Sequence, residues 1–279
     1  MKHAIRLLAI DIDGTLLDPN FQISAANLAA LRRAHAAGVE IVLGTGRRHA
    51  FALPIAEQLG FDLWLISSNG AVTKSSQGES FHRDLLPVAT ARSLVAGMDR
   101  FRGNLVITFD KEEKGALVLE RMDELTQSIQ RWLEKNIHFL EFVIPVERAL
   151  VADPIQMMFC GTVARMREAL DQLADSKAAK DVTVLRTQYD HRDLCIVDVL
   201  NQGCSKGHAL ARWATHRGYA RAEVMAIGDN YNDLEMLEFA GLPVLMGNAS
   251  NELKQNGWRV TLPNDQSGVA VAIEELIDL

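Results

Sequence analysis

Two acidic residues stand at the mouth of a strand: Asp11-Ile12-Asp13-Gly14-Thr15-Leu16 follows directly on the apolar run Ile5, Leu7, Leu8, Ala9 and Ile10. Side chains alternate along a strand, so Asp11 and Asp13 fall on the same side, and Gly14 lets the backbone turn away behind them. Two like charges held that close are unfavourable unless a cation or a proton is shared between them. A hard divalent ion such as Mg²⁺ takes a few carboxylate or carbonyl oxygens, keeps waters, and leaves room for a phosphate. One carboxylate could then attack phosphorus while the other handles protons. Asp-Gly-Thr alone is also a common turn in which the Asp bonds its own backbone, so the reading depends on what else the chain carries.

A chain of 279 residues exceeds the usual single-domain size and predicts one large or two unequal domains, and 48% hydrophobic content supports a substantial core. The net charge of -7 argues against a nucleic-acid partner. Small anionic substrates stay open, because the charge inside a cleft matters more than the total. No apolar run approaches the roughly 18 residues of a membrane span. Cys160, Cys195 and Cys204 are odd in number and form no CxxC pair, which reads as reduced thiols in a cytoplasmic protein. The start Met1-Lys2-His3-Ala4 runs straight into a strand and does not resemble a signal peptide. No pattern points to an oligomeric state.

The first third alternates strand and helix. Ser24 caps a helix with Ile23 and Leu28 as a hydrophobic staple and Gly38 at its end; a strand 39–43 and the loop Gly44-Thr45-Gly46-Arg47 follow. A second helix ends near Gly60, and strand 63–66 leads into Ser67-Ser68-Asn69-Gly70. Such alternation predicts parallel strands with helical crossovers on both faces, and ligands beyond the carboxyl ends of the strands. From Ala71 a hairpin through Phe81 is expected to lead out of the sheet. Residues 84–190 then alternate strand pairs with helices in the manner of an α+β unit with an antiparallel sheet. The parallel pattern resumes afterwards, so the fold class expected is α/β, with a core from residues 1–83 and 191–279 and an insert at 84–190.

Three further motifs sit at strand ends or helix starts. Thr45 and Gly46 offer a hydroxyl and bare backbone N–H groups suited to phosphate oxygens, although a turn followed by an exposed Arg47 is the plainer reading. Lys206, just inside a helix capped by Ser205, is a cation where the helix dipole disfavours one. Gly228-Asp229-Asn230-Tyr231-Asn232-Asp233 follows the strand 224–227 and brings two more carboxylates to a strand end. One of them could be a helix cap. Their joint arrival beside Asp11 and Asp13 is sensible only around a metal.

In this order, Asp-x-Asp-Gly-Thr-Leu, Thr-Gly-Arg, Ser-Asn-Gly-Ala, Ser-Lys-Gly and Gly-Asp-x-x-Asn-Asp resemble the haloacid dehalogenase superfamily over the whole chain, in the phosphatase branch with a type-IIB α/β cap. The resemblance implies a Rossmann-like core, an inserted α+β cap domain, Mg²⁺ and a phospho-aspartyl intermediate. It makes Asp11 the nucleophile and Asp13 the acid/base. It places the metal on the Asp11 carboxylate, the Asp13 carbonyl and Asp229, with Asp233 close by through water, and the phosphoryl group on Thr45, Gly46, Lys206 and Asn232. Gly44 stands where the family often has alanine before Thr-Gly-Arg.

The expected activity is Mg²⁺-dependent hydrolysis of small phosphorylated metabolites, sugar phosphates first among them. A phosphomannomutase-like phosphomutase is the nearest rival. A signalling module that merely accepts a phosphoryl group on Asp11 is a weaker one, because Asp13 as a general base only shortens that adduct's life. Cap closure about linkers near Arg83 and His191 is expected to exclude water, with Tyr189, His191 and Arg192 as candidate selectors of substrate.

Overall fold

A computed structural model of the protein describes residues 2–278, the side chain of His191 excepted. The chain divides into two compact units, one running to Arg83 and resuming at Ser205, the other spanning Asp84–Cys204. The first unit opens with β1 (Leu7–Asp11), α1 (Ala25–Ala36), β2 (Glu40–Gly44), α2 (His49–Ala56), β3 (Trp64–Ser67), β4 (Val72–Ser75) and β5 (Ser80–Arg83). The insert holds α3 (Val88–Gly97), β6 (Leu105–Thr108), β7 (Leu117–Leu119), α4 (Gln127–Lys135), β8 (Leu140–Phe142), β9 (Gln156–Gly161), α5 (Val163–Ala174), β10 (Val182–Tyr189) and β11 (Leu194–Asn201). The first unit then continues with α6 (Lys206–Arg217), β12 (Val224–Gly228), α7 (Leu234–Phe239), β13 (Leu242–Leu245), α8 (Asn251–Lys254), β14 (Arg259–Val260) and α9 (Gly268–Leu276).

The first unit is built on a sheet of order β14-β13-β12-β1-β2-β3-β4-β5. Strands from β14 to β3 run parallel, and β4 and β5 close one edge antiparallel. β1 lies between β12 and β2 and is buried along its whole length. Leu8 and Ile10 enter the core layer that holds Leu31 of α1 and Ile273 of α9, while Leu7 and Ala9 enter the layer that holds Leu210 and Trp213 of α6. Burial on both faces is why this strand reads as an unbroken apolar run. The carboxyl ends of β1, β2, β3 and β12 open on one edge, where an open α/β sheet presents its functional loops. This is the Rossmann-like core expected.

The hairpin after Ala71 does not leave the sheet. Ser68, Asn69 and Gly70 have φ of 48°, 52° and 106°, and this run of left-handed residues reverses the chain at once. β4 therefore pairs antiparallel with β3, Val72 and Thr73 become buried, and Ser67 Oγ donates to the Val72 carbonyl at 3.0 Å.

The insert is an α+β unit whose sheet has the order β10-β11-β9-β6-β7-β8. Leu94 of α3 and Met166 and Leu173 of α5 pack on Phe101, Phe159 and Val197 to form its core. Arg102 ties its connections together, donating to Glu120 at 3.0 Å and to Glu147 at 2.6 Å. The expected boundary at residues 190/191 is corrected. β11 pairs antiparallel with both β10 and β9, so residues 191–204 belong to the insert and the second crossing falls after Cys204. The connection at Asp190–Arg192 is a hairpin turn inside one sheet, not an interdomain linker. Among the described residues, no helix is long and apolar enough to cross a membrane, and Cys160, Cys195 and Cys204 are buried and form no disulfide.

Candidate active site

β1 and β12 are neighbours, so their carboxyl ends deliver Asp11 and Asp229 side by side. Asp229 is followed by a turn that Asp233 closes on itself: its Oδ2 accepts the backbone N–H groups of Asp229 at 3.0 Å and Asn230 at 3.1 Å. Gly228 is required there, since a Cβ would fall 2.6 Å from that of Asp233. Lys206 opens α6 behind its cap Ser205, whose Oγ accepts the His208 N–H at 3.1 Å. From that position its Nζ donates to Asp11 Oδ1 at 2.6 Å and to Asp233 Oδ1 at 2.7 Å, with no solvent exposure of the lysine. The unfavourable placement of a cation at a helix start is thus offset by two carboxylates.

Carboxylate oxygens of Asp11, Asp229 and Asp233 all lie within 4.8 Å of one another. Thr15 Oγ1 donates to Asp229 Oδ1 at 3.1 Å, and Asn248 Nδ2 donates to the Gly14 carbonyl at 2.8 Å and to Asp229 Oδ2 at 3.4 Å. Burial, with help from Asp233 and against the pull of Lys206, pushes Asp11 up to about 7. Burial and the charges of Asp11 and Asp233 hold Asp229 well above the usual carboxylate range. Burial works against the Lys206 charge, but Asp11 and Asp233 more than offset it. Three buried carboxylates facing one ammonium leave an excess of negative charge on hard oxygen donors, with no histidine or cysteine in the cluster. That donor set fits a hard divalent cation such as Mg²⁺ and does not favour a thiolate-seeking metal.

The two acids of the first motif part company. The carboxylate of Asp13 does not join the triad; Arg47 grips it with Nε on Oδ2 at 2.7 Å and Nη2 on Oδ1 at 2.6 Å. Arg47 follows Thr45 and Gly46 at the end of β2, and its backbone N–H donates to Thr45 Oγ1 at 3.1 Å. Asn232 Nδ2 donates to Asn69 Oδ1 at 2.9 Å, and a Cβ on Gly46 would stand 3.3 Å from the same Asn69 amide. Asn69 therefore joins Gly46 to Asn232. Of the residues singled out in the sequence, Asp11, Asp229, Asp233 and Lys206 form one buried cluster, Thr45 and Asp13 meet on Arg47, and Gly46 and Asn232 meet on Asn69.

Four contributors escaped sequence reasoning: Thr15, Asn69, Asn248 and the grip of Arg47. Asn69 had a signal, an amide in a Gly-containing loop at a strand end. Asn248 had none, because its loop is unremarkable in composition. Tyr189 and Arg192 lie in the insert, with the Arg192 guanidinium 5.7 Å from the Tyr189 ring centre, and the side chain of His191 lies outside the described residues.

This arrangement of a doubly flanked β1, a strand-end acid pair and a buried lysine defines a class, and the comparisons agree. The chain belongs to the haloacid dehalogenase-like hydrolase family, whose model matches residues 8–273. It is similar to phosphatase YwpJ of Bacillus subtilis (30% identical, covering 98% of this chain and 100% of that one). It is also similar to pyridoxal phosphate phosphatase YbhA of Escherichia coli (28% identical, covering 95% and 96%). A solved haloacid dehalogenase-like hydrolase from B. subtilis superposes with a TM-score of 0.80 at 27% identity, covering 98% of this chain and 100% of that one. The protein is a phosphatase of this family, a phosphoric monoester hydrolase.

Proposed function

We propose that the protein is a Mg²⁺-dependent phosphatase of small phosphorylated metabolites that works through a phosphoryl group carried on Asp11. The observation that carries the reading is the convergence of Asp11, Asp229 and Asp233 around a solvent-free Lys206 at the carboxyl ends of β1 and β12. Asp11 and Asp229 would hold Mg²⁺ together with the Asp13 carbonyl. Asp233, with one oxygen on Lys206 and the other on two backbone amides, would act as the brace of the site. Bound Mg²⁺ would neutralise charge on the phosphoryl oxygens and allow two anions to approach.

In this reading the Asp11 carboxylate attacks phosphorus, the bond to the leaving oxygen breaks, and Asp13 gives that oxygen its proton. Asp13 then takes a proton from water, the water oxygen bonds to phosphorus, and Asp11 is released with inorganic phosphate. Lys206, the Thr45 hydroxyl, the Gly46 N–H and the Asn232 amide would hold the phosphoryl oxygens through both steps. The names of the relatives support small phosphorylated metabolites as substrates, and a sugar phosphate is the first class to test. Three buried cysteines outside any disulfide support a reducing, cytoplasmic setting.

A phosphate-release screen across sugar phosphates, pyridoxal phosphate and nucleotides, run with Mg²⁺ and again with excess chelator, tests this reading. Release that needs Mg²⁺ supports it. Full release in chelator contradicts the metal site, and isomerised product without free phosphate would make the protein a mutase.

A further inference from the structure

We propose that Arg47 is a positioning residue for Asp13, fixing the direction in which that carboxylate presents its proton; the inference rests on the reading of Asp13 as acid and base. A carboxylate on a short side chain turns about two torsions, and a single donor would restrain only one oxygen. Arg47 holds both, through Nε on Oδ2 at 2.7 Å and Nη2 on Oδ1 at 2.6 Å. Such a planar fork sets position and plane together, which a lysine ammonium cannot do.

The fork itself has a rigid mount. The Arg47 N–H donates to Thr45 Oγ1 at 3.1 Å, the Arg47 carbonyl accepts from Ser68 N–H at 2.8 Å, and the Thr45 carbonyl accepts from Asn69 N–H at 2.9 Å. Residues 45–47 are thereby clamped to the left-handed loop 68–70. The same three residues carry the proposed phosphate seat at Thr45 and Gly46, so the seat and the proton carrier keep a constant separation. Both side chains of the pair stay partly open, at 29% for Arg47 and 28% for Asp13. The pair is therefore accessible to a leaving group, unlike the sealed contact between Lys206 and Asp233.

The test compares kcat and KM of wild type, Arg47→Gln, Arg47→Lys, Asp13→Asn and the double variant Asp13→Asn/Arg47→Gln, on one alkyl and one aryl phosphate with Mg²⁺. Misplacement of a catalytic group by about 1 Å costs up to about 100-fold. Arg47→Gln should therefore lower kcat on the alkyl ester about 10- to 100-fold with KM nearly constant. The aryl ester, whose leaving group needs less protonation, should lose less. Arg47→Lys should fall between, since it keeps the charge and loses the fork. In the Asp13→Asn background, Arg47→Gln should add nothing further.

Losses that multiply in the double variant, equal losses on both esters, or a rise in KM at constant kcat would overturn the positioning role. If Arg47→Gln does not fold, Arg47→Lys carries the same comparison. Wild-type turnover that does not depend on Asp13 would overturn the acid/base reading and the role of Arg47 with it.

Discussion

Lys206 Nζ stands 2.6 Å from Asp11 Oδ1, an ion pair in which the lysine has no solvent exposure and the aspartate almost none. Removing one partner of such a pair leaves an uncompensated buried charge and costs about 3–5 kcal/mol. Lys206→Met should therefore destabilise the protein by that order, and should lower kcat about 100- to 1000-fold on every substrate alike, the usual cost of a lost charge-stabilising donor. Mg²⁺ should raise the variant's melting temperature more than it raises that of wild type, because the carboxylates then lack their other cation. Denaturation with and without Mg²⁺ checks this, and stability and kcat within about twofold of wild type would contradict it.

Proton binding gives a second handle. Burial lifts Asp11 from 3.8 to about 7 in the folded chain and lifts Asp229 well above its ordinary value, so between about pH 4 and 7 the folded state holds more protons than the unfolded one. Stability contributed by these groups is present below their unfolded value and is lost as pH rises through about 7 for Asp11. Metal-free wild type should lose melting temperature across that window relative to Asp11→Asn, and saturating Mg²⁺ should remove the difference. Calorimetry should also show protons released as Mg²⁺ binds near pH 6. Parallel curves for the two metal-free proteins would show that Asp11 does not titrate as described.

Gly14 is held at φ +89°, and a Cβ there would lie 2.4 Å from Asp229 Oδ2. Gly14→Ala combines a strained backbone with a displaced carboxylate, each worth on the order of 1–3 kcal/mol. The expected signature is a raised Mg²⁺ requirement with a moderate fall in melting temperature, whereas Gly78→Ala, also at positive φ but with nothing within 4 Å, should change stability alone. Equal Mg²⁺ dependence in the two variants would break the link between Gly14 and Asp229.

The acids of this site were legible because strand periodicity and parallel alternation place them: a doubly buried β1 has to end in Asp11, and a second such strand has to end before Asp229. What the acids do to one another was less legible. Asp13 was expected beside Asp11, yet its carboxylate answers to Arg47, 34 positions away, a contact that depends on how β2 pairs with β1. Asp233 was read as a near neighbour of the metal; the turn it closes uses one of its oxygens, and that turn exists only in three dimensions. The insert shows the same limit. The boundary expected at residues 190/191 falls at a hairpin turn between β10 and β11, and local sequence pattern does not separate a turn inside a sheet from a crossing between units. β8 has three residues, too few for alternation to register.

The central claim is a covalent one, and peptide mapping of the quenched enzyme tests it most directly. Asp13→Asn, mixed with a good substrate and Mg²⁺ and stopped in acid during the first turnover, should carry one phosphoryl group on the peptide containing Asp11, removable by hydroxylamine. Asp11→Asn treated identically should carry none. Turnover by the wild type with no phosphoryl group on Asp11 at any time, and with inversion of configuration at phosphorus, would mean that water attacks the substrate directly and would contradict the account.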